Sequence, residues 1–84
     1  MKRVTVKYFA SIREALGQGS EAMETQASTL QALRDELLAR GGAYATALER
    51  GKAVRMALNL VMSDESAALA EGAEVAFFPP VTGG

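Results

Sequence analysis

The last residues of the chain, FFPPVTGG at positions 77–84, present one group that could do chemistry. Gly84 is the final residue, and its α-carboxylate is ionised at neutral pH because such groups have a pKa of about 3.5. A carboxylate is a poor electrophile until it is activated, most simply by adenylation with ATP. The acyl-adenylate can then accept a thiol, an amine or sulfide, and a glycine carboxylate hinders that attack least. These residue types therefore indicate acyl activation at Gly84.

The residues before Gly84 favour an extended strip that a partner can enclose. Pro79 and Pro80 cannot donate backbone hydrogen bonds, so they end a strand and stiffen the base of the strip. Glycines at the tip lack Cβ atoms and fit a narrow channel. We predict a domain over residues 1–78 and an extended tail over residues 79–84. The predicted partner-binding residues of the tail are Phe78, Pro79, Pro80, Val81, Thr82 and Gly83.

Composition excludes several kinds of site. The chain has 84 residues, enough for one domain, and contains neither cysteine nor histidine. It therefore lacks a thiol nucleophile, a thiolate metal site and the usual general base. We expect no metal and no cofactor bound by this chain. Since methionine thioethers do not exchange sulfur, a chain of this composition could carry reactive sulfur only as a C-terminal thiocarboxylate. A self-sufficient enzyme is disfavoured.

The charge pattern argues against nucleic-acid and membrane partners. Nine basic and ten acidic residues are interspersed and leave a net charge of −1, without the concentrated basic face that nucleic acids require. No run approaches the roughly 18 apolar residues of a membrane span. The N-terminus opens directly into a strand-like pattern, so we expect no signal peptide and a cytoplasmic location.

Hydrophobic periodicity predicts an α+β domain. Residues 2–10 alternate, with Val4, Val6 and Tyr8 on one face, which is typical of a strand. Leucines recur along residues 30–40 as one stripe of a helix that Ser28 or Thr29 can cap. We predict this one long helix across one face of a mixed sheet. The other predicted elements are short helices at 11–16 and 43–50, a weak edge strand at 19–25, one strand at 55–62 and a last strand at 73–78.

Side chains outside the tail suggest structural roles. Of Phe77 and Phe78, either one faces the helix and the other is exposed, or both lie in the core. Asn59 is expected to brace a turn. The residues expected in the core are Phe9 and Met62, and those expected on solvated faces are Glu21, Glu24, Arg34, Arg40, Arg50 and Arg55.

Four segments together resemble a known family: VKYFASIREALG, STLQALRDELLAR, LNL and LAEGAEVAFFPPVTGG. They are similar to the ubiquitin-like β-grasp sulfur carriers, and most closely to the small subunits of molybdopterin synthase. The resemblance implies a β-grasp fold with a mixed sheet of about four to five strands. It also implies that the first and last strands pair in parallel at the sheet centre.

The resemblance further implies a pathway of sulfur transfer. An E1-like adenylating enzyme would activate Gly84 with ATP and magnesium, and a sulfur donor system would convert it to a thiocarboxylate. The tail would then enter the large subunit of molybdopterin synthase and deliver sulfur to cyclic pyranopterin monophosphate. Two small and two large subunits would form a heterotetramer, with this chain as a non-catalytic co-substrate. The alternatives are a carrier for thiazole synthesis, a protein modifier, or an inert interaction module.

Overall fold

The computed structural model describes residues 1–79 of the chain. Its strands are β1 (Lys2–Tyr8), β2 (Ser20–Thr25), β3 (Arg55–Leu58), β4 (Val61–Ser63) and β5 (Glu74–Phe78), and its helices are α1 (Ala10–Leu16), α2 (Leu30–Leu38) and α3 (Gly42–Ala47). Over residues 1–79, no helix is both long enough and apolar enough to cross a membrane.

The five strands form one mixed sheet in the order β2-β1-β5-β3-β4. β1 and β5 pair in parallel, with Thr5 opposite Glu74 and Tyr8 opposite Phe77, and the other neighbouring strands are antiparallel. The first and last strands of the domain therefore adjoin near the centre of the sheet. The α+β class, this parallel pair and the edge position of β2 are all as the sequence and its resemblance predict.

The core lies on one side of the sheet, under the helices. Every second side chain of β1 is buried there, and the leucine stripe of α2 packs against them, as predicted. Tyr8 and Phe77 stack with their ring centroids 6.1 Å apart. Burying one large apolar side chain contributes about 1.5–3 kcal/mol, so the buried apolar residues supply most of the favourable free energy of folding. The most deeply buried are Val4, Val6, Tyr8, Leu30, Leu33, Leu37, Leu48, Val75 and Phe77.

The prediction of one long helix is wrong in its length. α2 has nine residues and ends at Leu38, and the helical segments are divided among three short helices. The amide of Gly41 donates to the carbonyl of Leu38 at 3.1 Å, a three-residue spacing that tightens the final turn. Gly41 and Gly42 then take positive φ angles of 73° and 55°, which turn the chain into α3. At the other end Thr29 is the cap, since its Oγ1 accepts from the amide of Ala32 at 3.2 Å.

The single strand predicted at 55–62 is two strands joined by a two-residue turn. Asn59 and Leu60 both have positive φ angles, 50° and 71°, as the tightest hairpin turns require. Asn59 braces this turn, as predicted: its amide donates to Glu74 O at 2.8 Å, and its Oδ1 accepts from Glu74 N at 2.9 Å. Leu60 is consequently 86% exposed at the hairpin tip.

Arg34 is buried, which corrects the prediction that it is solvated. Its side chain donates to the carbonyls of Leu48 at 2.8 Å and Glu49 at 2.7 Å, and it lies 3.5 Å from a carboxylate oxygen of Glu65. Burial lowers the pKa of Arg34 and Glu65 partly offsets that change, but an arginine side chain remains charged. Arg34 thus ties the loop before β3 to α2.

We expect Arg34→Met to destabilise the domain by about 2–4 kcal/mol, because it leaves the buried carbonyls of Leu48 and Glu49 without their donor, while Glu65 keeps its ion pair with Arg50. Urea denaturation measures the difference. Arg3→Met is the matched control, since the ion pair of Arg3 with Glu24 is exposed and such pairs contribute about 0–1 kcal/mol. Equal losses in the two variants would contradict the structural role of Arg34.

Candidate functional site

The described part of the candidate site is the point where the chain leaves the sheet. Phe78 is the last residue of β5, Pro79 follows it, and both are half-buried. Their positions agree with the prediction that proline ends the last strand. The other predicted tail residues, including the reactive one, lie outside the described residues: Pro80, Val81, Thr82, Gly83 and Gly84.

An aromatic pair lies at this exit. Phe9 and Phe78 stack with ring centroids 4.7 Å apart and planes inclined by 10°. They follow Tyr8 and Phe77, which face the helices, so alternation places them on the opposite side of the sheet. The interpretation of one inward and one outward phenylalanine in β5 is confirmed. Phe9, predicted in the core, is 40% exposed, although the period of β1 already indicated its outward direction.

The sheet face away from the helices, which we call the open face, carries further apolar side chains beside Phe9 and Phe78. Ala76 lies opposite Ala57, and Ala57 lies opposite Met62, so the three share one face across β5, β3 and β4. Met62, predicted in the core, is 55% exposed. The hairpin turn that separates β3 from β4 places it on this face. Ala57 and Ala76 are buried, so Met62 is the exposed side chain of the three.

Charged residues border this apolar surface. Lys7 pairs with Glu74 at 3.4 Å, and Arg3 pairs with Glu24 at 3.7 Å. Arg55 lies opposite Phe78 in the β3–β5 register and, within residues 1–79, forms no ion pair. In the same range, no three histidine, cysteine, aspartate or glutamate side chains are grouped so that they could hold a metal ion.

Glu21 anchors the end of β1 from the helix side. Its Oε2 accepts from the hydroxyls of Tyr8 and Tyr44, each at 2.8 Å. Gln18 Nε2 donates to the same oxygen at 3.1 Å, and Arg40 Nη1 donates to Oε1 at 2.9 Å. The side chain is 17% exposed, so the prediction of a solvated Glu21 is wrong. Because Tyr8 directly precedes Phe9, this network supports the backbone that carries the aromatic pair.

The network also changes the acidity of its members. Burial alone would raise the pKa of Glu21, but hydrogen bonds from Arg40, Tyr44 and Tyr8 outweigh it and lower the value. Burial, and then the bond to Glu21, raises the pKa of Tyr8, which keeps the hydroxyl a donor. The folded state therefore favours an ionised Glu21.

The fold and the exit site define a class of protein: a small ubiquitin-like β-grasp domain whose last strand leads from the sheet into a Gly-Gly end. Residues 6–84 match the ThiS family, so the chain belongs to that family. The match takes in nearly the whole chain and its terminal glycines.

The chain is also similar to individual proteins within and beyond this family match. The chain is 40% identical over 81 residues to the molybdopterin synthase sulfur carrier subunit of Haemophilus influenzae, covering 96% of this chain and 99% of the relative. SAMP1 from Haloferax volcanii has a similar structure, with a TM-score of 0.75, 26% identity and coverage of 98% and 99%. A complex of subunits 1 and 2 of molybdopterin-converting factor from Helicobacter pylori contains a similar chain, with a TM-score of 0.66, 26% identity and coverage of 98% and 99%.

We expect Glu21→Gln to lower stability by about 1–3 kcal/mol at neutral pH, because two tyrosine hydroxyls and Arg40 lose a charged acceptor. The pKa of Glu21 is lower in the folded state than when unfolded, so its contribution is present above the ordinary glutamate pKa of about 4.3 and is lost as the pH falls below it. Thermal unfolding across that range should show the variant and wild type converging at acid pH. A constant difference would contradict this assignment, and Glu24→Gln, on an exposed side chain of the same strand, is the control.

Proposed function

We propose that the chain is a sulfur carrier for molybdenum cofactor biosynthesis, acting as the small subunit of molybdopterin synthase. The single observation that carries this proposal is the full-length similarity to a subunit of that name, which includes the Gly-Gly end. The absence of cysteine agrees with it, because the C-terminal carboxylate is then the group of the chain that can hold transferable sulfur. In this function the chain is a co-substrate, and its partners supply the catalytic side chains.

The proposed chemistry takes place at Gly84. A carboxylate oxygen attacks the α-phosphorus of ATP on an E1-like enzyme, which also binds the magnesium, and pyrophosphate leaves. Sulfide from a donor system then forms a C–S bond as the C–O bond to AMP breaks, giving the thiocarboxylate. In the large subunit the sulfur adds to cyclic pyranopterin monophosphate. Hydrolysis of the acyl bond returns the carboxylate for another cycle.

The described surface gives the partner a place to dock. The aromatic pair of Phe9 and Phe78 lies where β5 ends, so it is available to a subunit that binds the residues after Pro79. Aromatic side chains, phenylalanine included, are enriched at protein interfaces relative to the rest of the surface. The large synthase subunit is the proposed occupant, in a heterotetramer of two small and two large subunits in the cytoplasm.

We expect sulfur loading to be visible in the intact mass. After incubation with the activating enzyme, ATP and a sulfur source, full-length chain should gain the mass difference of one sulfur replacing one oxygen. A chain lacking Gly84 should show less loading, and so should a chain with one alanine added after Gly84, because a peptide bond then replaces the Gly84 carboxylate. Full-length chain that stays unmodified under these conditions would favour the inert-module alternative.

A second experiment separates pathways that share this activation chemistry. Loaded chain should form the dithiolene when mixed with the molybdopterin synthase large subunit and cyclic pyranopterin monophosphate. Loading without transfer there, but with transfer in thiazole synthesis or to protein lysines, would reassign the carrier.

We expect Phe9→Ala to weaken binding to the large subunit about tenfold or more, because it removes half of the stacked aromatic pair at the base of the tail. Calorimetric titration measures the affinity. Val61→Ala is the matched control, since Val61 is 64% exposed but alternates with Met62 and so lies away from the open face. Equal effects from both substitutions would contradict docking through the open face.

A further inference from the structure

Arg55 occupies an unusual place on the open face. It is exposed, and it lies directly opposite Phe78, so its side chain projects from the same face as the aromatic pair. On the neighbouring rung, Ala57 is buried and Met62, opposite it, is exposed. Arg55 therefore lies beside the tail exit and diagonally across from Met62, so a partner that covers both Phe78 and Met62 also covers Arg55.

The other cations of this face already have partners. Lys7 is bound to Glu74 and Arg3 to Glu24, so their charges are compensated before docking. Arg55 forms no ion pair within residues 1–79, which cover every strand of the sheet. Asp64 and Glu65 line the same surface depression as Arg55, but Asp64 accepts from Ser66, and Glu65 pairs with Arg34 and Arg50.

Docking changes the surroundings of this charge. A partner that covers Phe78 and Met62 removes water from the space between them, and a guanidinium stripped of water without a counter-charge costs several kcal/mol. That cost disappears when the partner supplies a carboxylate, which the planar guanidinium binds through two parallel hydrogen bonds. An apolar partner surface at this point would instead oppose binding.

We propose that the partner subunit presents a carboxylate to Arg55, so that the surface docking on the open face is acidic beside the pocket that receives the aromatic pair. This inference rests on the proposed function, which supplies the large synthase subunit as the partner. Arg55 is a recognition residue here. It selects which protein receives the tail and takes no part in the chemistry at Gly84.

The test compares Arg55→Met and Arg55→Glu with wild type in binding to the purified large subunit from the same organism. Surface plasmon resonance should show Arg55→Met dissociating roughly 30-fold faster or more, because the partner's carboxylate is then covered without a counter-charge. The association rate should change less. Arg55→Glu should bind more weakly still, since two carboxylates then face each other.

The matched control is Arg3→Met, an exposed arginine of the same sheet face that already has a carboxylate partner. It should bind within about threefold of wild type, with circular dichroism confirming the fold of each variant. Wild-type affinity in Arg55→Met, or tighter binding, would overturn the inference while leaving the proposed function in place. If the wild-type chain does not bind the large subunit, both the inference about Arg55 and the proposed subunit role are overturned. Sulfur loading at Gly84 tests the carrier chemistry separately.

Discussion

The parallel pairing of β1 with β5 is the constraint on which the rest of the domain depends. It joins residues about seventy positions apart in the sequence and sets Tyr8 opposite Phe77. That one register places an aromatic pair in the core and, one residue later, a second pair, Phe9 and Phe78, on the other side. A slip by one residue would exchange the two faces, so core and docking surface are specified together.

Two charged side chains, Arg34, which is buried, and Glu21, which is partly buried, connect the short helices and loops of this small domain. Arg34 satisfies the carbonyls of the loop before β3, and Glu21 gathers donors from β1, α3 and the turn after α2. The aromatic pair is consequently displayed from a backbone supported on its helix side.

Local patterns predicted most of the framework because they depend on near neighbours. Alternation identified β1, and the leucine stripe identified α2. The failures have distant or conformational causes. Leu60 adopts a positive φ that bulky residues rarely take, so the sequence pattern did not indicate a hairpin turn at Asn59. The burial of Arg34 depends on carbonyls about fifteen residues away, which no periodicity reports.

The candidate site likewise has one part that depends on local chemistry, Gly84, and one part that depends on tertiary structure, the open face. The reactivity expected of Gly84 follows from its covalent position and could be predicted from the sequence, whereas the open face exists only once four strands are aligned. Any carrier with a Gly-Gly end shares the first property, so the end alone cannot select a partner. Selection must then lie in the body of the domain, and its open face offers two features that differ in kind. The aromatic pair provides contact area. The charge of Arg55 disfavours any partner that places no carboxylate opposite it.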